Sequence, residues 1–220
     1  MNKIKEFTDA ERAQYSKIYV DLIMNIEEIN TFLSTTESNQ RFFVRKVQLV
    51  KDYLDQLDHA DHLAEGDGIL DFLKSDEKYK DDVLKFKAGI ADELNKLKLC
   101  HTCKCSTCVS ECKFKSCHYC NYTNKVAGCD KDRYYATTGH EPITLYSNDE
   151  ERDVAFEVVG LLKDDFSNKH YIYLAERNNK NNQHILEYCK YVNGNTEYLP
   201  IDEELLDKIY DVFVGFDCYE

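Results

Sequence analysis

Tryptophan is absent from these 220 residues, and proline and glycine are scarce, at 2 and 8. So little Pro and Gly, beside 16 Tyr and 11 Phe, excludes long disordered stretches. Long apolar runs are missing as well: no stretch approaches the roughly 20 residues that a bilayer-spanning helix needs. The segment from Met1 to Phe7 lacks the apolar run of a secretory leader, so a cytoplasmic setting is expected. Basic residues are outnumbered, 28 Lys and Arg against 41 Asp and Glu, for a net charge of −13. A chain this acidic repels a phosphate backbone, which disfavours general nucleic-acid binding. There is also no Gly-rich phosphate loop, no nucleophile–base pair and no carboxylate pair in an evident pocket, so a non-enzymatic role is expected.

What is present is a globular composition, 43% apolar. A chain of this length buries about 70% of its unfolded surface, enough for a core without staples, as one large domain or two small ones. Charge divides it into three. Residues 1–99 carry 15 basic and 20 acidic side chains, residues 100–135 carry 6 and 3, and residues 136–220 carry 7 and 18. These segments are expected to be a helical domain, a Cys-rich zinc-binding segment and an acidic β-meander with a C-terminal helix, an α+β protein overall.

Helical periodicity dominates the first segment. Tyr15, Ile18, Tyr19, Leu22, Ile26, Ile29 and Leu33 recur at three- and four-residue spacing and predict an amphipathic helix over 8–34. Thr8-Asp-Ala-Glu11 has the form of a capping box that would start it. After the polar turn 34–39, Phe43, Val47, Val50, Leu54 and Leu57 define a second helix. Tyr79, Val83, Phe86, Ile90, Leu94 and Leu97 define a third, from about Asp76 to Leu99, after a break carrying Glu65-Gly-Asp-Gly68 and a single turn at 69–73. Short connections make such helices an antiparallel hairpin or bundle. His59 and His62, amid Asp55, Asp58 and Asp61, could share a metal or serve a hydrolase, but no Glu stands where a general base would be expected. A solvated helix end is the reading preferred.

The middle segment holds eight of the ten cysteines within thirty residues: Cys100, Cys103, Cys105, Cys108, Cys112, Cys117, Cys120 and Cys129. Three Cys-x-x-Cys pairs occur among them. Two thiolates three positions apart in a tight turn converge on one ion while backbone N–H groups point at the sulfurs, which is why this spacing recurs in tetrahedral zinc sites. Eight sulfurs suit two closed, structural zinc ions, with the pairing left open. His101 and His118 could each replace a thiolate, and Lys104, Lys113 and Lys115 could stabilise thiolates by charge. Two zinc ions on eight thiolates would take the segment's charge from +3 to −1, so its basic residues mainly offset the cluster. A disulfide framework needs an oxidising compartment. An iron–sulfur or thiol redox protein would use the same cysteines, although ferredoxin spacing is not reproduced. Nucleic-acid binding through Lys113, Phe114, Lys115, Tyr119, Lys125 and Arg133 is a third reading.

The last segment changes to period two. Ile143–Tyr146, Val154–Val159, Tyr171–Leu174, His184–Tyr188 and Glu197–Leu199 predict strands, with polar turns at 164–168 and 178–182 and a hairpin turn at Asn193-Gly194. Asp202 is the expected N-cap of a final helix that buries Leu206, Ile209, Phe213 and Phe216. Cys189 and Cys218 read as spectator thiols, and Tyr188, Tyr191 and Tyr198 as core or partner surface rather than base-stacking platforms.

The run from Ile143-Thr-Leu through Phe156-Glu-Val-Val, Tyr171-Ile-Tyr-Leu and Glu197-Tyr-Leu-Pro-Ile201 to Asp202-Glu-Glu-Leu-Leu and Val212-Phe213 resembles the YrzB-like family of small acidic bacterial proteins. The resemblance covers about the last 80 residues and implies a bacterial or phage cytoplasmic setting. It supplies no catalytic residue, and residues 1–135 lie outside it. Taken together, the sequence reads as a zinc-stabilised interaction or adaptor protein. The acidic surface of residues 136–220 would meet a basic protein partner, with no membrane association.

Overall fold

The computed structural model describes residues 3–66, 72–114, 124–147, 151–191, 194–216 and 218. The chain is mixed α+β and divides into two units, residues 1–102 with 106–111 and residues 103–105 with 112–220.

The first unit is helical: α1 (Lys3–Asn30), α2 (Thr35–Ser38), α3 (Phe42–Lys46), α4 (Gln48–Gly66), α5 (Phe72–Gly89) and α6 (Ala91–His101). Helix α1 starts one turn earlier than its pattern predicts, because Ile4, 1% exposed, and Phe7 extend the apolar stripe. Thr8 therefore lies inside the helix and caps nothing. Its hydroxyl donates to Lys5 O and to Asp61 Oδ1, at 3.1 and 2.6 Å. The capping box sits instead at α2, where Ser34 and Glu37 satisfy each other's backbone N–H groups. The second predicted helix is interrupted at Val47 and the third at Gly89-Ile90, where Ile90 leaves helical geometry. Residues 67–71, which hold most of the predicted break and single turn, lie outside the described residues.

Ion pairs show how the helices run. Near its start α1 meets the end of α4, with Arg12 bridging Asp58 and Asp61 at 3.0 and 2.5 Å, so these two are antiparallel. Further on, Lys80 lies over Phe7, Lys87 bonds Glu11 at 2.6 Å, Lys98 lies over Tyr15 and His101 bonds Asp21 at 2.6 Å. The broken rod of α5 and α6 thus runs parallel to α1, giving an up-down-up bundle. Its core holds Tyr15, Leu22, Ile29, Phe43, Val50, Tyr53, Leu57, Leu94 and Leu97. Burial would raise the Glu11 carboxyl, but hydrogen bonds from Lys87 and Tyr53 hold it below its usual range.

The second unit is one antiparallel sheet with strands β1 (Lys125–Cys129), β2 (Tyr134–Thr138), β3 (Ile143–Ser147), β4 (Arg152–Asp164), β5 (Lys169–Glu176), β6 (Asn179–Lys190) and β7 (Thr196–Pro200), followed by α7 (Glu203–Gly215). Strand order is β1-β2-β4-β5-β6-β7. Strands β2 and β3 share one edge of the 13-residue β4: β3 pairs with Arg152–Phe156 and β2 with Leu161–Asp164. The predicted first strand at Ile143 is in fact the third, since a hairpin of β1 and β2 precedes it. The predicted turn 178–182 is also shorter, because β6 begins at Asn179. Asp202 caps α7 as expected, accepting from Leu205 N at 2.9 Å. Ile209 and Phe213 of α7 bury against Ala127, Ala136, Leu162, Tyr171 and Tyr173 on one face. Val154, Phe156, Ile172 and Leu174 form a second cluster on the other face, so β5 is buried on both sides. Gly194 has φ +86, as the predicted hairpin turn requires, while Asn193 is outside the described residues.

Candidate metal centre

Six of the eight clustered cysteines are described, and Cys117 and Cys120 are not. Cys100 lies in the last turn of α6, buried in the helical core. Cys103 is buried and its thiol donates to Val126 O at 3.6 Å, while the neighbouring Lys104 N–H donates to the same carbonyl at 3.2 Å. Cys103 and Lys104 therefore sit beside Val126 of β1. Cys112 is followed by two anchors on the β1–β2 hairpin: Lys113 Nζ donates to Asp132 O and Oδ1, both at 2.7 Å, and the Phe114 ring packs on Tyr135 with centroids 5.1 Å apart. Cys129 closes β1. Four cysteines of this unit are thus tied by themselves or their neighbours to one hairpin.

The turn after Cys129 folds back onto its own sulfur. Lys131 takes φ +65, and its N–H donates to Cys129 Sγ at 3.1 Å. Asp130 Oδ1 accepts the N–H groups of Asp132, Arg133 and Tyr134 at 2.9, 2.8 and 2.9 Å, which fixes the turn. Backbone N–H bonds to sulfur favour the thiolate form that zinc requires. The donor chemistry fits zinc in this respect. Among the described residues, however, no three or more His, Cys, Asp or Glu side chains are gathered into a metal-holding group.

Cys108 belongs to the helical unit. Its carbonyl accepts from an Nη of Arg41, and Ser110 O accepts from the other Nη at 3.2 Å. Arg41 is 2% exposed and was given no role by the sequence pattern, since a lone Arg before two Phe carries no signal. A second contact not legible in the sequence is Asp164, which is 1% exposed. It accepts from Arg133 Nε and Nη2 at 2.9 and 2.5 Å, and from Phe166 N and the Ser167 hydroxyl at 3.0 and 2.8 Å. Burial works to raise this carboxyl, but the Arg133 and Ser167 bonds prevail and set it at about 2.

The remaining candidates are placed elsewhere. His59 and His62 are exposed, and the adjacent Asp58 and Asp61 are engaged by Arg12. His101 is bonded to Asp21, and His118 is outside the described residues. Of the residues that could contact nucleic acid, Phe114 is buried, Lys113 pairs with Asp132 and Arg133 with Asp164, while Lys115 and Tyr119 are not described. Cys218 is buried in the core beneath α7, whereas Cys189 is half-buried beside Glu187. Tyr188 and Tyr198 pack on each other at 5.7 Å.

No described helix is long and apolar enough to cross a membrane. The architecture is mixed α+β, a helical bundle and a helix-backed antiparallel sheet, with the described cysteines of the rich stretch divided between the two units. Compared with protein-family models, curated proteins and solved structures, the chain has no match in any of the three.

Proposed function

We propose that this chain is a non-enzymatic interaction protein of bacterial or phage origin, held in shape by two structural zinc ions on Cys100, Cys103, Cys105, Cys108, Cys112, Cys117, Cys120 and Cys129. The observation that carries the reading is the density and spacing of these cysteines, eight within thirty residues. The N–H bond to Cys129 Sγ supports it, because that sulfur already sits where a thiolate is stabilised. The partner is a basic protein surface: residues 136–220 carry 18 acidic against 7 basic side chains, which steers a positively charged partner.

Metal analysis of the purified full chain tests the first half. Two zinc per chain, no visible absorbance and thiols shielded from alkylation in the native state are expected. A folded, metal-free chain with freely alkylated thiols overturns it, and a coloured chain containing iron transfers the cysteines to redox chemistry. For the second half, polylysine should bind with an affinity that falls steeply as salt rises. Equal binding of polyglutamate would sink that half.

A further inference from the structure

Three strands of the sheet unit have an outer edge: β1, β3 and β7. The edge of β1 is partly occupied, since Val126 O accepts from Lys104 N at 3.2 Å and from the Cys103 thiol at 3.6 Å. That of β7 is guarded, because Thr196–Pro200 carries Glu197 and a proline, a charge and a missing donor that deter a further strand. Strand β3, Ile143-Thr-Leu-Tyr-Ser147, has neither device. Among the described strands it pairs with β4 alone, and it shows Thr144 and Tyr146 to solvent, Tyr146 at 62% exposure. Leu145, Tyr146 and Ser147 also form one wall of an open depression of about 170 Å³, completed by Phe156, Leu174 and Leu186.

Charge selects the occupant. Glu141 stands just before β3, and Glu151 and Asp153 stand at the start of β4 near its other end, Asp153 directly opposite Tyr146. All three are exposed, and no described cation pairs with them. A second copy paired edge to edge about Leu145 would bring Glu141 of each chain toward Glu151 of the other, a like-charge contact that disfavours self-pairing. An extended basic segment meets the same carboxylates with opposite charge. We infer that β3 is the docking edge for the basic partner: a segment of it adds as a further strand, seats an apolar side chain in the depression and sets flanking Lys or Arg on Glu141, Glu151 and Asp153. The inference rests on the basic-partner reading above and gives that partner a form. In strand addition, main-chain hydrogen bonds supply affinity and pockets for alternate side chains supply selectivity.

The test uses the full chain and a fluorescein-labelled peptide, Lys-Lys-Val-Thr-Val-Thr-Val-Lys-Lys, followed by fluorescence anisotropy at low salt. N-methylation of its five central residues keeps the charge and the side chains but removes the backbone donors, and should weaken binding about 10-fold or more. Thr144→Lys on the β3 edge should weaken the unmethylated peptide about 10-fold. Thr196→Lys, the same charge change on the β7 edge, should leave its affinity within about twofold. Equal binding of the two peptides to the wild-type chain overturns the inference, as does equal weakening by the two substitutions. Polylysine binding in either case leaves the basic-partner reading intact. Dimers of the free chain that Thr144→Lys dissolves overturn the inference too, by making a second copy the occupant. Should neither polylysine nor the peptide bind at low salt, the basic-partner reading falls and takes this inference with it.

Discussion

Asp164 gathers two Arg133 nitrogens, a hydroxyl and two backbone N–H groups around one carboxylate with almost no access to water. Its folded-state value of about 2 lies below the ordinary 3.8, so the stabilisation it brings is complete above about pH 4 and is lost as the pH falls through 2. Arg133 also lies over the Tyr134 and Phe166 rings, so the pair ties the β1–β2 turn to the β4–β5 turn. Asp164→Asn is expected to cost about 2–3 kcal/mol at neutral pH, as charged hydrogen bonds of this kind do. In urea titrations that deficit should shrink between pH 4 and pH 2, and a constant deficit would refute the linkage. The same scale shows why a local pattern misleads. Thr8-x-x-Glu11 and Ser34-x-x-Glu37 both have the form of a capping box, yet only the second caps a helix. What decides is the residue before the pattern: Ile4 has a core to enter, so helix α1 runs through Thr8 and the hydroxyl turns to Asp61.

Among elements, the helices and most later strands were readable because each shows one face to a core and the other to water, and β5, buried on both faces, because Tyr171-Ile-Tyr-Leu174 is an unbroken apolar and aromatic run. Strands β1 and β2 were not readable, because they carry neither signal. Tyr134, Tyr135, Ala136 and Thr137 are all buried in succession, so no period of two exists to be seen. The cysteines reinforced the miss, since Cys129 draws attention as a ligand and hides its place at a strand end. Gly128 marks how closely β1 is backed. A Cβ built there would stand 2.4 Å from the Cβ of Phe216, just beyond α7. Gly128→Ala should therefore push the end of α7 away and destabilise the sheet unit by about 1–3 kcal/mol. Denaturant unfolding followed by circular dichroism checks this, and a neutral outcome would mean that Phe216 yields freely.

For the molecule as a whole, composition made the two architectures and the cysteine-rich stretch between them legible. The path of that stretch was not, because it depends on contacts such as Arg41 with the Cys108 carbonyl that join residues 67 positions apart. Structural zinc contributes on the order of 10 kcal/mol in small sites, more than a loop of this size gains from apolar contacts. On the zinc reading proposed above, a strong chelator is expected to open the chain to protease first between residues 100 and 124. The β1–β2 hairpin should be spared, because β2 is laddered to β4. An unchanged digestion pattern after metal removal would contradict that expectation.

Strand β4 carries a further consequence. Residues 157–160 fall between the stretches that β3 and β2 occupy on its edge, and the register with β5 slips there, between Val158 and Gly160. The ladder between β4 and β5 consequently carries a bulge at the place where the neighbour on the opposite edge changes from β3 to β2. Gly160, at that bulge, lies against the Phe213 ring of α7, so a larger residue there would strain the helix-backed half while β3 kept its pairing.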